Sequence, residues 1–221
     1  MTEEIKGSLV DTFMVAPVIA YTYPKSLEPI IEYCNSLEYR MPEDGDSNYK
    51  STDKWVLKNE ELKDLNDFCK QAIQSYAKEI CHTVAKIGIQ QSWVNLTPPG
   101  MQHPPHWHSN SYLSGVFYIA SEQDGGSPLK LHSHLKNFSY QPTVMETAGD
   151  EPYNPYTCSS CELASIPGVL LVFSSMMPHS VPTNVTEQNR VSLSFNTFPE
   201  TPFGDEDRLN IITWLSLYKR I

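Results

Sequence analysis

The sequence predicts a mainly β fold with helices confined to its N-terminal part, and three observations predict it. Before residue 88 the apolar residues recur at helical spacing. After it, short β-branched and aromatic runs alternate with turn residues. Seventeen prolines in 221 residues call for many turns and short elements. The opening "DTFMVAPVIAYTYP" has the content of a strand with a proline interruption. "SLEPIIEYCNSLEY" reads as a helix: Ser26 is its candidate N-cap, and Leu27, Ile30, Ile31, Cys34 and Leu37 share one face. Polar, turn-rich "RMPEDGDSNYKST" follows. A longer helix is expected from Asn59 to Ile87, with Leu62, Leu65, Cys69, Ile73, Tyr76, Ile80 and Val84 as its apolar stripe. Glu60 and Glu61 sit at its positive end, and Gly88 is expected to end it.

From there five runs, "IQQSWVNLT", "SYLSGVFYIA", "SPLKLHSH", "GVLLVFSS" and "RVSLSFNTF", read as strands of a sandwich or small barrel. They predict a jelly-roll-like β core over about residues 88–200. The interruption "SYQPTVMETAGDEPYNPYTCSSCELASIPG" is long for a connection inside a compact domain, so Ser139 to Ile166 is expected to form a mobile lid. The tail "GDEDRLNIITWLSLYKRI" fits either a closing strand or a short helix. One domain over 1–221 is the resulting expectation: a strand and supporting helices in 1–87, the core, and a C-terminal extension in 201–221.

Charge narrows the partners. Lys and Arg total 16 against 26 Asp and Glu, a formal net charge of −10, and no basic patch for nucleic acid is evident. The start, "MTEEIKGSLV", has no basic region leading into an apolar run, so neither a signal peptide nor a membrane span is expected. Five cysteines, an odd number and mostly scattered, suit a reducing cytosol, and a cytoplasmic location is expected. Cys158 and Cys161 lack the second pair that a structural zinc needs, and read as a loop feature.

Three of the seven histidines fall within "HPPHWH", directly before an apolar run. In an extended chain, residues i and i+2 share a face, so His106 and His108 project together with Trp107 opposite. One more ligand would complete a facial metal site with open positions. His179, in "LVFSSMMPHSVPTN", is the candidate. His103 is placed at the rim. His132 and His134 in "KLHSH" have the same spacing and compete as ligands, but lack a supporting motif; substrate contact or surface exposure suits them better. In "NRVSLSFN", Val191, Leu193 and Phe195 alternate with Arg190, Ser192, Ser194 and Asn196. Arg190 and Ser192 can offer a bidentate guanidinium and a hydroxyl to one carboxylate. A metal and an anion clamp in one β core imply a small dicarboxylate that chelates the metal at one end and is gripped at the other. Trp93, Asn95 and Gln102 are candidate lining residues, with core packing the preferred reading of Trp93.

This set resembles the 2-oxoglutarate/Fe(II)-dependent oxygenases, whose pattern is HxD or HxE, a strand, a distal His, and an Arg further on, often as RxS. The matching residues are His106-Trp107-His108, His179 and Arg190-Val191-Ser192. More closely, "HWHSNSYLSGVFYIA", "IPGVLLVFSSMMPHSVPTN" and "RVSLSFN" are similar to the 2OG-Fe(II) oxygenases of bacteria and marine phages, over roughly residues 92–197. The resemblance implies a double-stranded β-helix (jelly-roll, cupin-like) core, with Fe(II) on His106, His108 and His179. It implies 2-oxoglutarate gripped by Arg190, Ser192 and Tyr118, with Ser114 on the same inward face as Tyr118. O2 would be the oxidant, with ascorbate an optional reductant. Hydroxylation of a small-molecule or peptide substrate would release succinate and CO2. One departure stands out: His108 occupies the position of the usual acidic ligand, so three neutral ligands would leave the metal its full charge. Two alternatives stay open, a 2-oxoglutarate-independent three-histidine enzyme such as the cupin-class thiol dioxygenases, and a non-catalytic jelly-roll protein that binds a metal or small acid. Oligomeric state is also open, a homodimer included.

Overall fold

The computed structural model describes residues 17–41, 48–121, 127–133 and 160–202, with Gly204 and Asp207. His134, Cys158, residues 139–159 of the expected lid, and the tail from residue 208 lie outside the described residues. In chain order the elements are β1 (Ile19–Thr22), α1 (Glu28–Ser36), β2 (Tyr39–Arg40), β3 (Tyr49–Ser51), two 3-10 turns (Val56–Lys58 and Glu60–Leu62), and α2 (Lys63–Glu79). They continue as β4 (Ile87–Thr97), β5 (His103–His106), β6 (Leu113–Ala120), β7 (Leu129–His132), β8 (Ser160–Leu163), β9 (Val169–Ser174), β10 (His179–Val181) and β11 (Arg190–Pro199). The strands form two antiparallel sheets, a major one ordered β1-β9-β6-β11-β4-β3-β2 and a minor one ordered β5-β10-β7-β8. This is the expected mainly β, double-stranded β-helix architecture with few helices.

Alternation along the central strands divides the interior in two. On β6, Leu113, Phe117 and Ile119 join Leu193 and Phe195 of β11 and Leu170 and Val172 of β9 in a core shared with Leu65, Cys69, Ile73 and Tyr76 of α2 and Ile30 and Cys34 of α1. Val116 and Tyr118 of β6, with Leu171 and Phe173 of β9, face the minor sheet and pack on Leu129 and Leu131 of β7. Each apolar side chain so buried contributes about 1.5–3 kcal/mol. The larger core is tight at Gly115: a Cβ there would lie 2.0 Å from the ring of Phe195.

Several boundaries differ from the sequence reading. Leu27, not Ser26, is the N-cap of α1; Ser26 Oγ instead accepts the Glu28 N–H at 3.2 Å. The second helix stops at Glu79 rather than running to Ile87. The chain leaves it through His82, at φ 50, and Val84, expected in the apolar stripe, is 99% exposed. Gly88 ends no helix; it lies within β4, opposite Phe198 of β11. Two strands lie where none was expected: β2, which takes in Tyr39 from the end of the expected first helix, and β3, inside the turn-rich stretch; they pair with each other and extend the major sheet. The end of the expected lid contains β8, which pairs with β7. Among the described residues, no helix is long and apolar enough to cross a membrane.

Candidate active site

A cleft of about 490 Å³, open to solvent at its mouth, lies between the sheets. At one end are His106, His108 and His179. Antiparallel pairing of β5 with β10 sets His106 directly opposite His179. His108 lies beyond β5, so strand alternation alone does not aim it. Its backbone N–H donates to Ser175 O at 2.9 Å, which fastens the segment to the end of β9. Trp107, between the two histidines, is exposed. Ring centroids are 5.1 Å apart for His106–His108, 4.3 Å for His106–His179 and 5.2 Å for His108–His179. One nitrogen from each comes within 4.8 Å of the other two.

Burial is the main influence on their titration. It pulls His106 below its ordinary value, His108 down to about 4 and His179 down to about 3. All three are therefore neutral near pH 7, as metal ligands must be. Nδ1 of His106 lies 2.8 Å from Pro104 O, and Nδ1 of His179 lies 2.8 Å from Met177 O. A carbonyl can only accept, so each Nδ1 carries the proton and each Nε2 keeps a bare lone pair. Nδ1 of His108 instead lies 3.5 Å from Nδ2 of Asn196.

At the other end stands Arg190, 3% exposed. Its Nη1 donates to Ser192 Oγ at 3.1 Å. Its Nε and Nη2, and the hydroxyl of Tyr118, have no hydrogen-bond partner among the described residues. The guanidinium carbon is 5.2 Å from the centre of the Tyr118 ring, and Tyr118 pairs with Ser192 across β6 and β11. Burial raises the Tyr118 phenol and works against the charge of Arg190; each opposes the shift of the other. Leaving such donors buried and unsatisfied costs about 1–3 kcal/mol each, and more for a charged group. Tyr118 and Arg190 also stand close enough to interact with each other, and together the guanidinium and phenol offer donors suited to a carboxylate.

Other expected residues are dispersed. Ser114 lines the cleft, but its hydroxyl engages Ser175 Oγ at 2.8 Å and Asn196 Oδ1 at 3.1 Å, behind His108 and away from Arg190. His103 is part of the cleft wall, its ring 4.2 Å from that of His106, and it is not one of the three convergent histidines. His132 Nε2 lies 2.9 Å from Ser180 Oγ and outside the convergent group. Trp93, read as core, lines the cleft 6.1 Å from the His108 ring and donates Nε1–H to Asn95 Oδ1 at 3.1 Å. Asn95 also lines it, whereas Gln102 is exposed and does not. Sequence reasoning assigned no role to Asn48, Ser175 or Asn196. Asn196 could have been found from its place on the polar face of β11, in register with Arg190.

The donor set fits the groups that the cleft suggests. Three neutral imidazoles in a facial array suit a divalent transition metal, and the unsatisfied guanidinium and phenol suit the far carboxylate of a chelating dicarboxylate.

Residues 91–196 match a family model described as "Putative 2OG-Fe(II) oxygenase". No curated protein matches the sequence significantly. Among solved structures, an oxidoreductase of the 2OG-Fe(II) oxygenase family from Burkholderia pseudomallei is similar at 15% identity, over 81% of this chain and 83% of that one, with a TM-score of 0.57. SnoK, a non-heme α-ketoglutarate-dependent carbocyclase from nogalamycin biosynthesis, is similar at 11% identity, over 83% and 80%, with a TM-score of 0.61. HygX from Streptomyces hygroscopicus, solved with nickel, 2-oxoglutarate and hygromycin B, is similar at 9% identity, over 84% of each chain, with a TM-score of 0.58. At these identities the likeness is one of fold. The family match runs from β4 to β11 and contains the three histidines, Arg190 and Ser192. The matched segment, a little under half of the chain, is that of the 2-oxoglutarate/Fe(II)-dependent oxygenases, a family of enzymes that use Fe(II), 2-oxoglutarate and O2.

Proposed function

We propose that this chain is an active 2-oxoglutarate-dependent hydroxylase of a small-molecule or peptide substrate, with His106, His108 and His179 holding Fe(II). Arg190, Ser192 and Tyr118 bind the far carboxylate of 2-oxoglutarate. The observation that carries this reading is a three-imidazole cluster and the buried Arg190 in one cleft, with the Tyr118 ring 5.2 Å from the guanidinium carbon. With its cofactors bound, such a site supplies oxidative decarboxylation of 2-oxoglutarate to succinate and CO2, coupled to hydroxylation of a C–H bond.

The chain's own contribution is placement. The carbonyls of Pro104 and Met177 hold the His106 and His179 rings in the tautomer that leaves Nε2 bare. Arg190, fixed by Ser192, presents Nε and Nη2 to the anion, and Tyr118 adds a hydroxyl donor. Trp93 and Phe173 wall the cleft and keep water from the reacting centre. A neutral His108 leaves more positive charge at the metal than a carboxylate would, which favours the dianionic cosubstrate.

That same substitution favours a second reading, a binding protein that holds iron and 2-oxoglutarate without turnover. Two steps separate the readings. Anaerobic titration of Fe(II) and 2-oxoglutarate should give the visible charge-transfer band of a bidentate chelate. Admission of air should then give slow formation of succinate without added substrate. No band defeats the cosubstrate assignment. A band with no succinate favours the binding protein.

A further inference from the structure

Resting on the metal site proposed above, we propose that Asn196 is a positioning residue that makes His108 a metal ligand, its amide held in the required orientation by the hydroxyls of Ser114, Ser175 and Ser111.

The problem lies at His108. With Nδ2 of Asn196 facing it at 3.5 Å, Nδ1 is asked to accept, and the ring's one proton goes to Nε2. A protonated Nε2 cannot bind a metal. His106 and His179 avoid this because backbone carbonyls face their Nδ1 atoms. An amide can present either of its two ends, so something must choose between them.

The choice follows from counting protons behind it. Asn196 Oδ1 meets Ser114 Oγ at 3.1 Å, Ser114 Oγ meets Ser175 Oγ at 2.8 Å, Ser175 Oγ meets Ser111 Oγ at 2.7 Å, and Ser111 Oγ meets Leu113 O at 3.1 Å. Ser111 Oγ also meets Thr197 O at 3.2 Å, and its single proton serves these two carbonyls; that makes four links to fill, and the three serine hydroxyls hold three protons. While the amide carbonyl faces Ser114, one contact has no proton to share. A half-turn of the amide supplies the fourth. Nδ2 then donates to Ser114, Ser114 to Ser175, Ser175 to Ser111, and Ser111 to the carbonyl of Leu113. The same half-turn brings Oδ1 against Nδ1 of His108, which becomes the donor, and Nε2 is left bare. Thr197 N–H donates to Ser111 Oγ at 3.1 Å, which further disposes that hydroxyl to donate onward. The serines are buried, so water does not readily supply the missing proton.

The arrangement also gives β11 two tasks. Ser114 pairs directly with Asn196 across β6 and β11, and strand alternation sets Asn196 on the same strand face as Arg190 and Ser192. One face of one strand therefore grips the cosubstrate at its start and orients a metal ligand near its end.

Co(II) is the probe for the test, with affinity read by titration and the ligand set read from proton NMR of the paramagnetic protein. The parent should show three solvent-exchangeable, strongly shifted imidazole N–H signals, one for each Nδ1–H. Asn196→Ala should bind Co(II) about 10- to 100-fold more weakly and lose one of these signals to fast exchange. Asn196→Asp, whose carboxylate accepts from Nδ1–H, should bind at least as tightly as the parent and keep all three. Asn196→Ala with parental affinity and three unchanged signals would overturn the role of Asn196. So would Asn196→Asp that binds as weakly as Asn196→Ala. Should Asn196→Ala fail to fold, judged by circular dichroism, the isosteric Asn196→Asp decides alone. A parent that takes up no Co(II) defeats the metal-site reading itself.

Discussion

At the histidine end of the cleft the side chains are neutral, and each Nδ1 has a neighbour at hydrogen-bonding range. At the Arg190 end a charged group is buried with two nitrogens that have no hydrogen-bond partner among the described residues, beside a phenol in the same condition. The first end is complete before any ligand arrives. The second carries a desolvation cost that only an anion relieves. Mutations at the two ends should therefore differ in kind: at the histidine end they remove binding with little effect on the apo fold, and at the Arg190 end binding and apo stability should move in opposite directions.

The largest effect should come from the histidine end. His179→Ala, and likewise His106→Ala or His108→Ala, should weaken Fe(II) binding by about 100-fold or more, because two ligands leave the facial set incomplete. Metal content after anaerobic loading and desalting measures this. Normal content in all three variants, with loss in His132→Ala, would move the site to the other histidine pair. Arg190→Met is the matching change at the other end. It should leave iron content unchanged and abolish the chelate band at ordinary 2-oxoglutarate concentrations. The apo protein should gain about 1–3 kcal/mol of stability, because an unpaired buried charge is replaced by an apolar chain of similar size. Arg190→Lys keeps the charge and loses the planar fork, so its 2-oxoglutarate affinity should fall between the two. An Arg190→Met protein less stable than the parent would mean that Arg190 is already satisfied without a ligand, and the contrast between the two ends would collapse.

The same contrast explains what the sequence made legible. Arg190, Ser192 and Tyr118 sit on long strands whose period-two alternation fixes which face each residue takes. His179 lies on a strand of three residues, too short to announce itself, and the surrounding motif pointed to it; His106, on a strand of four, was legible with His108 from their i, i+2 spacing. His108 converges through a backbone bond to Ser175, a contact with no trace in local sequence. The network behind it joins positions 82 and 61 residues apart, which only strand pairing brings together. Val84 was misread because the apolar repeat of α2 continues in sequence beyond the point where the chain departs at His82. β8 was missed because four residues inside a polar stretch carry no strand signal of their own.

A third change tests the packed side of β6 against its cleft side. Gly115→Ala directs a methyl group at the Phe195 ring, which is fully buried in the shared core. It should cost about 1–3 kcal/mol of stability by overpacking, read as a lower denaturant midpoint at unchanged slope. Unaltered stability would mean that the ring moves freely into the cleft, and that the core is looser there than the distances indicate.

The smallest effect is expected three residues further, at Tyr118, on the opposite face of β6. Tyr118→Phe removes one hydroxyl and nothing else. That hydroxyl is buried with no hydrogen-bond partner among the described residues, and its ring is fully enclosed, so the fold keeps its packing and loses only a desolvation cost. The apo protein should be as stable as the parent or up to about 1 kcal/mol more so. Binding should move the other way. If the hydroxyl donates to the far carboxylate of 2-oxoglutarate, its loss should weaken the cosubstrate by about 3- to 10-fold, the worth of one hydrogen bond with Arg190 still in place. The Arg190 guanidinium stays near the ring face, so the clamp is weakened and not dismantled. Denaturant titration of the apo protein and anaerobic titration of the Fe(II) protein with 2-oxoglutarate give the two numbers separately. Lower apo stability with unchanged 2-oxoglutarate affinity would show that the hydroxyl serves the fold, and would leave Arg190 and Ser192 as the whole of the clamp.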